Sequence, residues 1–63
     1  MNDKAFMEKL KADGRIYYMV GVTKEGKENR ASENLTLEQC KNWDAGILKS
    51  WYEKFKIVKD SEL

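Results

Sequence analysis

The only side chain in the sequence with the intrinsic nucleophilicity for covalent chemistry is a single thiol, Cys40, and the chain has no histidine to serve as its base. Cys40 falls in the first turns of a helix predicted from Thr36, where a helix dipole can lower a thiol pKa. Without an adjacent base such a thiol has no activating partner. Leu35 and Cys40 also occupy the two positions of a hydrophobic staple around the Thr36 cap, so the sequence places Cys40 in the core. One cysteine closes no intramolecular disulfide, and a lone thiol without histidine builds no structural zinc site.

The other chemistry is thinner. Eleven Asp and Glu residues are scattered over positions expected to face solvent, with no spaced pair of the kind that hydrolyses a glycosidic bond. Gly21 and Gly26 lack the lysine-serine context of a phosphate loop. No catalytic, cofactor-binding or metal-binding residue is assigned, and the chain is expected not to be an enzyme. Asp44 is the odd acid. It falls inside an apolar arc, between Cys40, Ile47 and Trp51, where an unpaired carboxylate is costly. Three readings stay open: the helix bends near Ala45-Gly46 and leaves Asp44 at the rim; Asp44 pairs with Lys41 or a backbone amide; or it is an acidic contact within an apolar binding patch.

These residues sit in a chain of 63, expected to form a single domain, 1–63. Hydrophobic content of 41% with 37% charged is globular in kind, and the 12 basic and 11 acidic residues are interspersed, which gives no field to steer the chain onto nucleic acid. Met1 to Leu10 carries charges throughout and has no apolar h-region, so no signal peptide is expected. No stretch approaches the roughly 20 apolar residues of a membrane span. The expected compartment is the cytoplasm.

Five elements follow from pattern. Asp3–Asp13 reads as a short helix with Phe6, Met7 and Leu10 on one side, Asn2 or Asp3 as cap, and Gly14 taking the left-handed conformation after its end; the alternative is a strand turning at the hairpin dipeptide Asp13-Gly14. Arg15–Thr23 is the clearest strand, with Ile16, Tyr18, Val20 and Val22 on one face and Tyr17, Met19, Gly21 and Thr23 on the other. Lys24-Glu25-Gly26-Lys27 is a tight turn. Glu28–Leu35 is a polar edge strand with Ala31 and Leu35 inward and Glu33 between them. Thr36 and Gln39 form a capping box, opening a helix predicted over Leu37 to about Tyr52. Its apolar arc holds Leu37, Cys40, Ile47, Leu48, Trp51 and Phe55, flanked by Trp43 and Tyr52. Phe55–Lys59 is a closing strand, with Phe55 and Ile57 on one side and Val58 on the other.

The elements assemble as an α+β fold of order α-β-β-α-β. A three-stranded antiparallel or mixed sheet, order 2-1-3, packs against one long helix, with the short N-terminal helix beside it. The right-handed crossover brings the third strand beside the first. The long helix is expected to cover the Ile16, Tyr18, Val20, Val22 face, leaving Tyr17, Met19 and Val58 for the N-terminal helix or a partner.

A hairpin, a threonine-capped helix entered through Leu-Thr-Leu-Glu-Gln, and a closing strand within some sixty residues resemble small bacteriophage proteins that bind and redirect host enzymes. A short inhibitor of bacterial RNA polymerase is similar in outline. The resemblance covers residues 15–59 and lies in topology; no signature motif is shared, so no functional residue is carried over.

The functional expectation is a protein-binding module, acting on a partner or on a second copy of itself, with candidate interface residues Tyr17, Met19, Trp43, Asp44, Tyr52 and Val58. The alternative is a nucleic-acid-binding sheet, in which exposed aromatics stack on bases beside Arg15, Lys24, Lys27, Lys56 and Lys59.

Overall fold

The computed structural model describes residues 3–63. Its elements are α1 (Asp3–Ala12), β1 (Tyr17–Val22), β2 (Glu28–Arg30), α2 (Leu37–Lys41), a 3-10 helix (Gly46–Ser50) and β3 (Lys54–Lys59). The fold is α+β, with the strands in order β2-β1-β3 and both pairings antiparallel.

α1 ends as its sequence dictates. The Arg15 N–H donates to the Leu10 carbonyl at 2.8 Å and the Gly14 N–H to that of Lys11 at 3.0 Å, with Gly14 at φ +73°. These two bonds form a Schellman motif, which needs a left-handed residue after the last helical turn. The start expected at Asn2 or Asp3 rests on Asn2 and on the Asp3 side chain, which lie outside what is described. α1 makes only sparse contact with the sheet, and Phe6 stays 64% exposed.

β1 and β2 are joined by a three-residue hairpin loop. The Thr23 N–H donates to the Lys27 carbonyl at 2.9 Å, and the Gly26 N–H to that of Thr23 at 2.9 Å, with Gly26 left-handed at φ +88°.

The edge strand expected over Glu28–Leu35 is regular only to Arg30. Continuing the Val20–Arg30 register would set Tyr17 opposite Glu33, but Tyr17 bridges Leu35 instead. Two extra residues are therefore accommodated in a bulge. Inside it the Ser32 hydroxyl takes the Met19 N–H at 2.8 Å, standing in for the backbone carbonyl a regular ladder would supply. The physical result is that charged Glu33 is expelled to solvent while Leu35 turns into the core.

The single long helix predicted from Leu37 to Tyr52 is not formed. The capping box is present as expected: Thr36 Oγ1 accepts the Gln39 N–H at 3.1 Å, and Gln39 Oε1 accepts the Thr36 N–H at 2.9 Å. α2 nevertheless stops at Lys41. The Asn42 amide turns back onto the Glu38 carbonyl at 3.1 Å. Four residues later Gly46 is left-handed, φ +58°, with its N–H held by Asp44 Oδ1 at 2.9 Å. A side-chain oxygen has taken over a backbone donor, and the chain restarts as a 3-10 helix.

The covered face also differs from expectation. Met19, Leu35 and Cys40 form the buried core, packed by Tyr17, Ala31, Trp43 and Phe55. The helical layer therefore lies over the Tyr17, Met19, Gly21 face. Trp43 meets Phe55 edge-on at 5.2 Å between ring centroids, and Phe55 meets Tyr52 at 5.6 Å. The Tyr52 ring lies flat against Gly21, leaving no room for a side chain there.

The opposite face needs no helix. Val20 and Val22 are buried there as well. Lys56 on β3 lies across from Val20, and Glu28 on β2 lies across from Val22. Their ion pair, 2.8 Å, therefore spans the central strand and roofs both valines with side-chain stems. Beside it the Arg30 guanidinium stacks 4.3 Å above the Tyr18 ring. One chain thus closes both faces of β1, and the sheet face that the sequence left for a partner is already occupied.

Candidate interaction surface

Of the six candidate interface residues, Tyr17, Met19 and Trp43 meet inside the core, and the set forms no single surface. Met19 is buried, and Tyr17 and Trp43 are half-buried around it. Tyr52 is half-buried over Gly21. Val58 pairs across from Tyr18, which places it on the other face from Tyr17 and Met19. Asp44 is exposed, outside any apolar arc: its carboxylate caps the Gly46 N–H and lies 3.7 Å from the Lys49 ammonium. These contacts, the backbone N–H first and the lysine charge second, hold its carboxyl below the usual aspartate range. Of the readings open for Asp44, the bend near Gly46 and the backbone-amide partner are the ones found; the lysine is Lys49 rather than Lys41.

What remains uncovered lies elsewhere. In the 3-10 helix and the turn after it, Leu48 and Tyr52 are half-buried toward the sheet. Ile47 and Trp51, each one position earlier, face outward at 80% and 70% exposed. Sequence periodicity had put both into the buried arc. A continuous α-helix would have sent them inward; the break at Asp44–Gly46 resets the phase and turns them out. The legible signal was Asp44-Ala45-Gly46 itself, an acid two residues before a glycine, which is a turn pattern inside a helical one.

Trp51 borders a groove of about 500 Å³ against the hairpin tip, lined by Thr23, Lys24, Lys49 and Glu53 among others. The charges around it alternate, so the groove has no dominant sign. The Glu53 N–H donates to the Val22 carbonyl at 2.8 Å, which fixes the chain just after Trp51 to the end of β1.

Cys40 is 4% exposed, and burial pushes its thiol above the usual range. Among the described residues no group of three His, Cys, Asp or Glu is placed to hold a metal ion. No described helix is long and apolar enough to cross a membrane. On the sheet, Tyr17 belongs to the core and Tyr18 lies under Arg30, so the two sheet tyrosines are already engaged. Comparison with protein-family models, with curated proteins and with solved structures found no match.

Proposed function

We propose that this chain is a small non-catalytic module that binds another protein through Ile47 and Trp51, with the hairpin-tip groove as the rim of the contact. The observation that carries this reading is the outward pairing of those two side chains. They are the two most exposed large apolar residues among those described. Tryptophan at the centre of a patch is the residue type that concentrates binding energy, and mixed charges around it suit a solvated rim. The patch is held firmly, because Tyr52 is wedged on Gly21 and Glu53 is tied to Val22.

The bacteriophage resemblance, in proteins that dock on larger host enzymes, agrees with a module whose own fold is complete and whose binding surface is small. A buried, protonated Cys40 with no histidine in the chain supports a non-catalytic role. A single unpaired thiol fits the cytoplasm.

The test is a Trp51→Ser, Ile47→Ser double variant. Both side chains are mostly exposed, so stability should change by no more than about 0.5 kcal/mol each. Photo-crosslinking from position 47 in the producing cells should give one discrete adduct, and Trp51→Ser should abolish it. Sedimentation at micromolar concentration separates a second copy from a different partner. A double variant that stays folded and keeps every partner of the parent chain refutes the reading.

A further inference from the structure

At the opposite end of β1 from Trp51, α1 and the β2 bulge enclose a cleft of about 410 Å³, lined by Phe6, Leu10, Arg15, Arg30, Glu33 and Asn34. The chain carries ten lysines and only two arginines, and both arginines are here. They converge on one residue: Arg15 Nε donates to the Asn34 backbone carbonyl at 3.0 Å, and an Arg30 terminal nitrogen donates to Asn34 Oδ1 at 2.6 Å. Arg30 Nε is anchored separately on the Ser32 carbonyl at 2.8 Å, and its plane is clamped on Tyr18. Both forks are thus oriented by the carbonyls that the bulge displaced from the ladder.

Two guanidiniums held this close repel unless anions attend them. One is Asp60, which accepts from the Asn34 amide at 3.0 Å. That hydrogen bond, the Glu62 N–H and the Arg30 charge hold the Asp60 carboxyl below its ordinary range. The other is Glu33, at 3.7 Å from Arg15 with a side chain 78% exposed. That distance is too long for a bidentate pair, so Glu33 is a loose counter-ion that an incoming carboxylate can displace. In the same cleft, exposed Phe6 and half-buried Leu10 supply an apolar wall.

We propose that this cleft binds a carboxylate carrying an apolar group of about one amino-acid side chain, its two oxygens on the arginine forks and its apolar part on Phe6 and Leu10. A planar fork suits a carboxylate, which is why arginine and not the commoner lysine lines the site. The apolar wall favours such a ligand over a strongly hydrated inorganic anion. Either a polypeptide C-terminus or a free organic acid provides this chemistry. The site is remote from Ile47 and Trp51 and stands independently of them.

The experiment is an NMR titration of the full chain that follows the Arg15 and Arg30 Nε–H signals and the Phe6 and Leu10 amides. The probes are N-acetyl-leucine and N-acetyl-leucinamide. Saturable shifts of both arginine signals are expected with the acid and not with the amide. Arg30→Lys, which keeps the charge but loses the fork, should weaken binding about tenfold. Phe6→Ser, at an exposed position, should remove the preference for N-acetyl-leucine over acetate. A short peptide with a free C-terminal leucine binding more tightly than octanoate identifies a chain end as the ligand, and the reverse order identifies a free acid. Equal shifts with acid and amide, or unsaturated shifts in both folded variants and parent, would mean that the arginines only staple the bulge, and the proposal falls.

Discussion

Gly21→Ala should destabilise the chain although alanine suits a strand better than glycine does. The backbone at Gly21 is not left-handed, so no conformational strain opposes the change. Relief of glycine's excess entropy should by itself stabilise by roughly 0.5–1 kcal/mol. A Cβ there, however, would lie 2.5 Å from Tyr52 Cγ and 2.7 Å from both Cδ atoms. Ordinary carbon contacts are about 3.5–4.0 Å, so the ring must retreat by roughly 1 Å. It cannot swing from its far end, because the blocked atoms are those at its root. Behind it Phe55 packs edge-on at 5.6 Å, and Trp43 packs on Phe55 at 5.2 Å. Overpacking of this kind costs about 1–3 kcal/mol. The net loss should be about 1–2 kcal/mol, from a total that is roughly 3–9 kcal/mol for a chain this size. Thermal unfolding followed by far-UV circular dichroism should show the midpoint falling by about 5–15 °C. The decisive arm is the double-mutant cycle. In a Tyr52→Ala background the same substitution should become neutral or slightly stabilising, giving a coupling of about 2 kcal/mol. If Gly21→Ala raises the midpoint, or if its cost persists without the Tyr52 ring, the packing argument that orients Trp51 outward is wrong.

Three further outcomes follow from particular contacts. Thr36→Ala should cost about 1 kcal/mol by chemical denaturation, because the capping box holds both ends of a first turn in a helix of only five residues. Lys56→Met should leave stability within about 0.5 kcal/mol and Lys56→Ala should cost more, since the partly exposed ion pair with Glu28 contributes little and the stem covers Val20; equal losses would point to the charge instead. Cys40 should resist alkylation at neutral pH in the folded chain. Because burial raises its folded pKa, its contribution to stability is complete below the pKa of an unfolded thiol and is lost as pH rises above it, which Cys40→Ala should abolish.

The sequence by itself determined what depends on a few adjacent residues. Gly14 after an amphipathic run dictated the end of α1, Gly26 the hairpin, and the Thr36–Gln39 box the start of α2 to the residue. The strand order followed too, since the polar segment belongs at an edge and the apolar β1 in the middle. What only the tertiary structure decided was phase. Two side-chain oxygens, Ser32 Oγ across the sheet on the Met19 N–H and Asp44 Oδ1 on the nearby Gly46 N–H, took the place of regular backbone partners. The first kept Leu35 inward, as the pattern has it, but set it instead of Glu33 opposite Tyr17; the second turned Ile47 and Trp51 from the expected core to the surface. Periodicity presumes an unbroken element, so a side-chain oxygen that captures a backbone N–H can shift the register or turn individual side chains, here Ile47 and Trp51, away from the face the pattern assigns. The same holds for the ion pair across β1 and the two arginines meeting at Asn34. Lys56 and Glu28 are 28 positions apart in the chain, and no local pattern relates them.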